Sequence, residues 1–256
     1  MSSNHTSKRA ALLIIPVLVA QSALFAQRGG RGGGAPPAQN AKAGAPIDLT
    51  GYWVSVVTED WRYRMVTPTA GDFQGVPMTP EARKIADAWD PAKEEASGDV
   101  CKSYGAPALL RVPGRLHITW QDDQTMRLDM DTGKQTRIFH FGDWKPVASG
   151  PPTLQGDSTA EWIRGGGRGG TDGSMKVATS HLKAGFLRKN GVPYSENTSL
   201  TEYFDLIKMP NGDPMIVVTI ATTDPVNLRQ PFVITSQFKK EAGETGWKPT
   251  ECSARW

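Results

Sequence analysis

The sequence predicts a mainly β protein, built as a sandwich or a barrel. Two observations carry this. Apolar and polar residues alternate in short runs, and turn signals separate the runs about every ten residues. Against them stands one helical segment, "TPEARKIADAWDP" from Thr79 to Pro91.

The expected strands are 51–57, 114–121, 125–130, 135–141, 159–164, 175–188 (broken near Ala184-Gly185), 198–208, 214–223 and 231–239. In the helix, Thr79 is a good N-cap and Pro80 a good first residue. Ala82, Ile85, Ala86 and Trp89 form its apolar stripe, and Pro91 ends it.

Turn length sets the register of each hairpin. Between "RLHITW" and "TMRLDM" an odd loop pairs Trp120 with Met126 and Ile118 with Leu128. It also sets His117 against Asp129 and Arg115 against Asp131 on the other face. The next turn, "DTGK", reads as a three-residue loop with Gly133 left-handed. That register puts Thr136, Ile138 and His140 on the apolar face, and Gln135, Arg137 and Phe139 on the polar one. The turn "KMPNGDP" pairs Leu206 with Ile216, Phe204 with Val218 and Glu202 with Ile220. Glu202 therefore shares a core-facing stripe with Leu200, Phe204 and Leu206, and the strand paired with it offers no cation. A carboxylate buried alone is costly.

Lys8 and Arg9, followed by the apolar run Ala10 to Ala26, read as a signal peptide cleaved after Ala26. Pro16, Gln21 and Ser22 interrupt the run, which argues against a membrane span. Residues 27–46, "QRGGRGGGAPPAQNAKAGAP", have little to bury and read as a disordered Gly/Pro/Ala-rich linker. Residues 47–256 then form one barrel domain in a periplasmic or secreted protein. The chain's charge of +3 falls to −2 once Lys8, Arg9, Arg28, Arg31 and Lys42 are set aside. A near-neutral domain gives no reason to expect nucleic acid. The segments lack the outward apolar bands of a membrane barrel. Two cysteines, Cys101 and Cys252, predict one disulfide in an oxidising compartment.

Gly51-Tyr52-Trp53 resembles the G-x-W signature that opens the first strand of lipocalins. The resemblance implies an antiparallel up-and-down barrel of about eight or nine strands. It makes Gly51 and Trp53 structural, with a late basic residue, Arg229 or Lys239, stacked on the tryptophan. Thr223-Asp224 is similar to the lipocalin Thr-Asp motif. The helix placed between the first two strands departs from that family. Residues 106–231 also resemble a group of exported bacterial β-proteins. The matching pattern is Arg137, Trp162, Gly191 to Ser195, Glu202, Asp224-Pro225 and Pro231-Phe232. This second resemblance implies fold and export but no reaction.

The first functional expectation is a small-molecule-binding barrel with an apolar cavity. Trp120, Phe204, Phe232 and Phe238 would supply wall, with Glu202 and His140 as polar points, for a small apolar or glycosidic ligand. The alternative is a hydrolase, lyase or isomerase with Glu202 as catalytic acid or base and Arg137 or His140 stabilising charge. "GGGRGG" (165–170) would be a loop or lid. No phosphate loop, G-x-S-x-G elbow, HxH or HExxH spacing is present, so neither cofactor nor metal is expected.

Overall fold

A computed structural model of the chain describes residues 40–146, 150–165 and 173–255. The expected leader, the linker up to residue 39, nearly all of "GGGRGG" and Trp256 lie outside the described residues. In chain order the strands are β1 (Gly51–Val56), β2 (Arg115–Trp120), β3 (Thr125–Met130), β4 (Gln135–Phe141), β5 (Asp157–Arg164) and β6 (Gly173–Ser180). They continue with β7 (Gly185–Arg188), β8 (Val192–Tyr194), β9 (Ser199–Lys208), β10 (Pro214–Thr223) and β11 (Phe232–Lys240). Nine of them close a barrel in the order β1-β11-β10-β9-β6-β5-β4-β3-β2, and β7–β8 form a separate hairpin.

The barrel is mixed where an antiparallel one was expected. β4 and β5 run parallel, pairing Phe139 with Ser158 and Phe141 with Ala160. Parallel neighbours need a crossover, which the chain makes between Phe141 and Asp157.

Two hairpins take the expected registers. Trp120 faces Met126 and Ile118 faces Leu128. Leu206 faces Ile216, Phe204 faces Val218 and Glu202 faces Ile220. The β3–β4 hairpin does not. Leu128 faces Arg137 and Met126 faces Phe139. Its loop has four residues, 131–134, and Lys134 as well as Gly133 is left-handed, at φ 50° and 82°. The chain's tail holds the loop open, because the Gly133 N–H donates to Thr250 O and the Thr250 N–H donates to Asp131 O. Moving the register by one residue turns every β4 side chain over. Arg137 and Phe139 point inward, and His140 points out.

The lumen is filled. Trp53, Leu128, Phe139, Met175, Phe204 and Phe238 are fully buried there. Phe139 and Phe204 lie with ring centres 5.8 Å apart. These side chains occupy the interior to which the sequence assigned an apolar cavity. Barrels of about eight strands are just wide enough for side chains to fill them or for one small ligand.

Trp53 is an anchor. Its Nε1–H donates to Leu49 O at 2.9 Å. The basic residue over its ring is Lys240, 4.2 Å from the ring centre, in place of Arg229 or Lys239. Register explains this, since Lys240 is the cross-strand partner of Trp53. Gly51, at φ 99°, makes room: a Cβ there would lie 2.8 Å from Lys240 Nζ. Near the same mouth, Trp120, Phe141 and Trp162 form a ring cluster. Trp162 Nε1–H donates to Ala41 O at 2.8 Å and Arg164 donates to Gly44 O at 2.7 Å. Residues 40–46, placed in the linker by composition, thus lie against the barrel.

The other mouth, where β1 ends and β2 begins, carries a cap. Segments 57–114, 181–198 and 224–231 all leave the barrel there. The cap has four short helices where one was expected: α1 (Trp61–Arg64), α2 (Pro80–Asp87), α3 (Pro91–Ser97) and α4 (Ala106–Leu109). Thr79 caps α2 by accepting from the Ala82 N–H at 3.1 Å. Ala82 and Ala86 are buried, while Ile85 is 52% exposed. α2 ends at Asp87, short of the expected stop at Pro91, so Trp89 lies outside it. Pro91 instead opens α3, where Asp90 accepts from the Ala92 N–H at 3.0 Å as the cap. A disulfide joins Cys101 to Cys252 and ties the tail to the cap.

Candidate functional site

The carboxylate singled out by the sequence faces the lumen, but it is fully committed. Glu202 is 0% exposed. Its two oxygens accept from Arg137 Nη1 at 2.7 Å and Nη2 at 2.6 Å. This is the bidentate geometry of a strong charge-assisted pair. Arg137 Nη2 also donates to Thr179 Oγ1 at 3.2 Å, and Thr179 is 2.7 Å from Ser158 Oγ. The cation that the neighbouring strand lacks comes across the lumen from β4. Arg137 was expected on the opposite face, and the four-residue loop brings it in.

The other residues expected at the site do not gather around Glu202 as a ligand set. Phe204 is core. Trp120 belongs to the cluster at the far mouth. His140 lies on the outer face, stacked on Trp144 at 4.0 Å between ring centres. Burial there pushes its pKa down, with Asp122 and Asp157 opposing. His181 is in the β6–β7 connection at φ 59°, 2.9 Å from Asp157 Oδ2. Phe232 sits at the capped mouth, 5.8 Å from the Arg188 guanidinium.

A second feature of the resemblance is also a structural pair. Asp224 accepts from the Ser195 N–H and the Ser195 hydroxyl, each at 2.7 Å, and from Asn227 at 2.9 Å. Burial raises its pKa, but these bonds outweigh burial and leave it lowered.

The cap holds a different arrangement. Arg64 ends α1, Arg111 follows α4, and Arg188 closes β7. The three are 1%, 5% and 4% exposed. They line one small cavity together with Tyr63, Ser103 and Leu187. Its free volume is about 20 Å³, enough for about one water-sized body.

Each guanidinium is held by only part of its donor set. Arg64 Nε–H donates to Arg111 O at 2.8 Å. Arg111 Nη2 donates to Asp60 Oδ2 at 3.1 Å. Arg188 Nη1 donates to Gln74 O at 2.8 Å, and its plane lies 4.0 Å over the Tyr63 ring. Both terminal nitrogens of Arg64, Nη1 of Arg111 and Nε of Arg188 are buried with no partner. Buried polar atoms are almost always bonded, so four in one cluster call for an explanation.

The charges are unbalanced as well. Among the described residues Asp60 is the one carboxylate bonded to any of the three, and it reaches only Arg111. Burial first, and then repulsion from Arg111, lowers the pKa of Arg64 to about 10 and that of Arg188 to about 10. Arg111 is lowered by burial against the pull of Asp60. Next in chain, Lys189 Nζ donates to Tyr104 Oη at 2.6 Å and to Ser253 O at 2.9 Å. Burial lowers its pKa to about 8. Such clustered perturbation is typical of functional sites.

No spacing motif joins Arg64, Arg111 and Arg188. The available signal was local: Arg111 interrupts the apolar "ALLRVP", and Arg188-Lys189 follow Phe186-Leu187 directly. Among the described residues no group of three or more His, Cys, Asp or Glu is placed to hold a metal ion. No family model, curated protein or solved structure matches the chain.

Proposed function

We propose that the chain is an exported small-molecule-binding protein whose filled barrel is a scaffold and whose ligand site lies in the cap. The observation that carries this is the set of four buried guanidinium nitrogens, from three arginines around one cavity, without a protein acceptor. Keeping unpaired cations out of water costs a fold several kcal/mol each, by order of magnitude. Such a cost is tolerated where a site needs preorganised donors.

Export rests on the charged and apolar N-terminal pattern, and a disulfide accords with an oxidising compartment. No helix among the described residues is long and apolar enough to cross a membrane. The enzyme reading loses its central residue. Glu202 is fully buried and both its oxygens are taken by Arg137. Binding without turnover is the reading retained.

The test is a thermal-shift screen of small hydrogen-bond-accepting compounds against the disulfide-intact full chain and its Arg188→Leu variant. Compounds that raise Tm in the parent and lose that effect in the variant support the reading. Equal shifts in both proteins overturn it.

A further inference from the structure

Resting on the binding reading, we propose that the cap pocket takes the carboxylate of a small organic acid. Arg64 grips that carboxylate end-on, and Arg111 and Arg188 flank it.

The stereochemistry of Arg64 comes first. Its Nε–H is spent on Arg111 O, which fixes the plane and direction of the guanidinium. Its Nη1 and Nη2 are both unpartnered. Two parallel N–H donors on one rigid plane match the two oxygens of a carboxylate. The barrel offers a comparison within the same molecule. In the lumen, Arg137 Nη1 and Nη2 meet Glu202 oxygens at 2.7 and 2.6 Å. Arg64 presents the same two atoms with no glutamate to meet them.

Size argues next. A free volume of about 20 Å³ is room for about one water-sized body, so even a small planar head enters only as the lining side chains shift, and a bulkier head is disfavoured further. A tetrahedral phosphate or sulfate head brings at least one more oxygen. The lining mixes Ala108, Val112 and Leu187, whose side chains donate nothing, with Ser103, Lys189 and the flanking arginines, so an added oxygen meets donors on only part of the wall. The three apolar residues, with Tyr63, suit the short apolar body of an organic acid.

Charge is consistent with this choice. Asp60 already meets Arg111, which leaves Arg64 and Arg188 without a carboxylate. Both arginines keep their charge well above neutral pH, since burial brings them down only to about 10. Lys189 also lines the pocket and its pKa is about 8, so affinity for a carboxylate holds from pH 6 to 7 and declines as Lys189 loses its proton above about pH 8.

The experiment uses the disulfide-intact full chain at constant ionic strength. Isothermal titration compares acetate, propionate and benzoate with acetamide, inorganic phosphate and sulfate. The expected result is saturable binding of at least one carboxylate and none of acetamide. Arg64→Met weakens it at least tenfold. Arg64→Lys keeps the charge, loses the fork, and also weakens it at least tenfold. Urea midpoints at or above the parent's show that both variants fold.

Two results would overturn the proposal, and they are distinguishable. Phosphate or sulfate binding tenfold tighter than every carboxylate, and lost in Arg64→Met, overturns the ligand class while leaving a cap binding site. Absence of binding by every probe overturns the carboxylate assignment. If the thermal-shift screen also finds no compound sensitive to Arg188→Leu, the binding reading falls with it.

Discussion

The lumen and the cap both bury arginine, and they do so in opposite ways. In the lumen, one guanidinium meets one carboxylate at 2.6 and 2.7 Å, with Thr179 beside them. In the cap, one of three guanidiniums meets a carboxylate, and the three leave four nitrogens unpartnered. The pair closes the Glu202 carboxylate to outside chemistry and leaves only one arginine nitrogen, Arg137 Nε, buried without a partner. A mismatched cluster keeps donors in reserve. Buried charge alone therefore says little about function, and the balance of charge and hydrogen bonds around it says more.

The largest expected effect tests how far the two regions are independent. The Cys101–Cys252 disulfide spans 151 residues of chain, for which loop entropy gives as much as about 5 kcal/mol. Cys101 leads into the 3-10 turn Lys102–Tyr104, and Cys252 precedes Ser253, the acceptor for Lys189. Reduction should loosen the cap first. Hydrogen exchange in reduced protein should rise at 101–112 and 185–194 before it rises in β9 and β10. Uniform loss of protection would show one cooperative unit and break the distinction.

Next come the charges themselves. Glu202→Gln should destabilise the protein by about 3–5 kcal/mol, because it leaves Arg137 buried without its counter-ion. Arg137→Leu with Glu202→Leu should recover most of that loss. Arg64→Met in the cap should be neutral or should stabilise the ligand-free protein by about 1 kcal/mol, because it removes an uncompensated buried cation. Urea unfolding of the variants measures all three. If Arg64→Met costs as much as Glu202→Gln, the cap cluster is structural and the comparison collapses.

Much of the lumen was legible in the sequence because period and turn length act locally. "QDDQT" and "MPNGD" set the β2–β3 and β9–β10 registers, and both hairpins have the expected pairing. The inward direction of Glu202 followed from the second. Its partner did not, because the β3–β4 loop is held by a remote tail residue, Thr250, through an isolated bridge. One extra loop residue carried Arg137 from the outer face to the lumen. The parallel β4–β5 closure is equally nonlocal. The cap pocket was illegible for the same reason on a larger scale. Residues 64, 111 and 188 come from three separate connections, and no local period links them. What could be seen was a cation embedded in an apolar run at Arg111.

The smallest effect concerns Lys189, at the border of the cluster. Its ammonium donates to Tyr104 Oη at 2.6 Å, to Ser253 O at 2.9 Å and to Ser253 Oγ at 3.1 Å, and lies 4.4 Å from the Tyr104 ring centre. Burial nevertheless dominates and lowers its pKa to about 8, with Glu94 pulling the other way. In the unfolded chain the same lysine titrates near 10.4, by the usual model value. Between about pH 8 and 10 the unfolded chain thus binds more protons than the folded one, and stability rises with pH. Below pH 8 the full penalty of a buried ammonium is present. Arg64 and Arg188, at about 10, contribute little to the change below pH 9. Relative to Lys189→Met, the parent should therefore gain on the order of 1 kcal/mol from pH 7 to pH 9. Urea midpoints of both proteins at the two pH values measure the difference. Parallel pH slopes would mean that the bonds Lys189 donates to Tyr104 and Ser253 fully offset burial, and that Lys189 is a compensated cation.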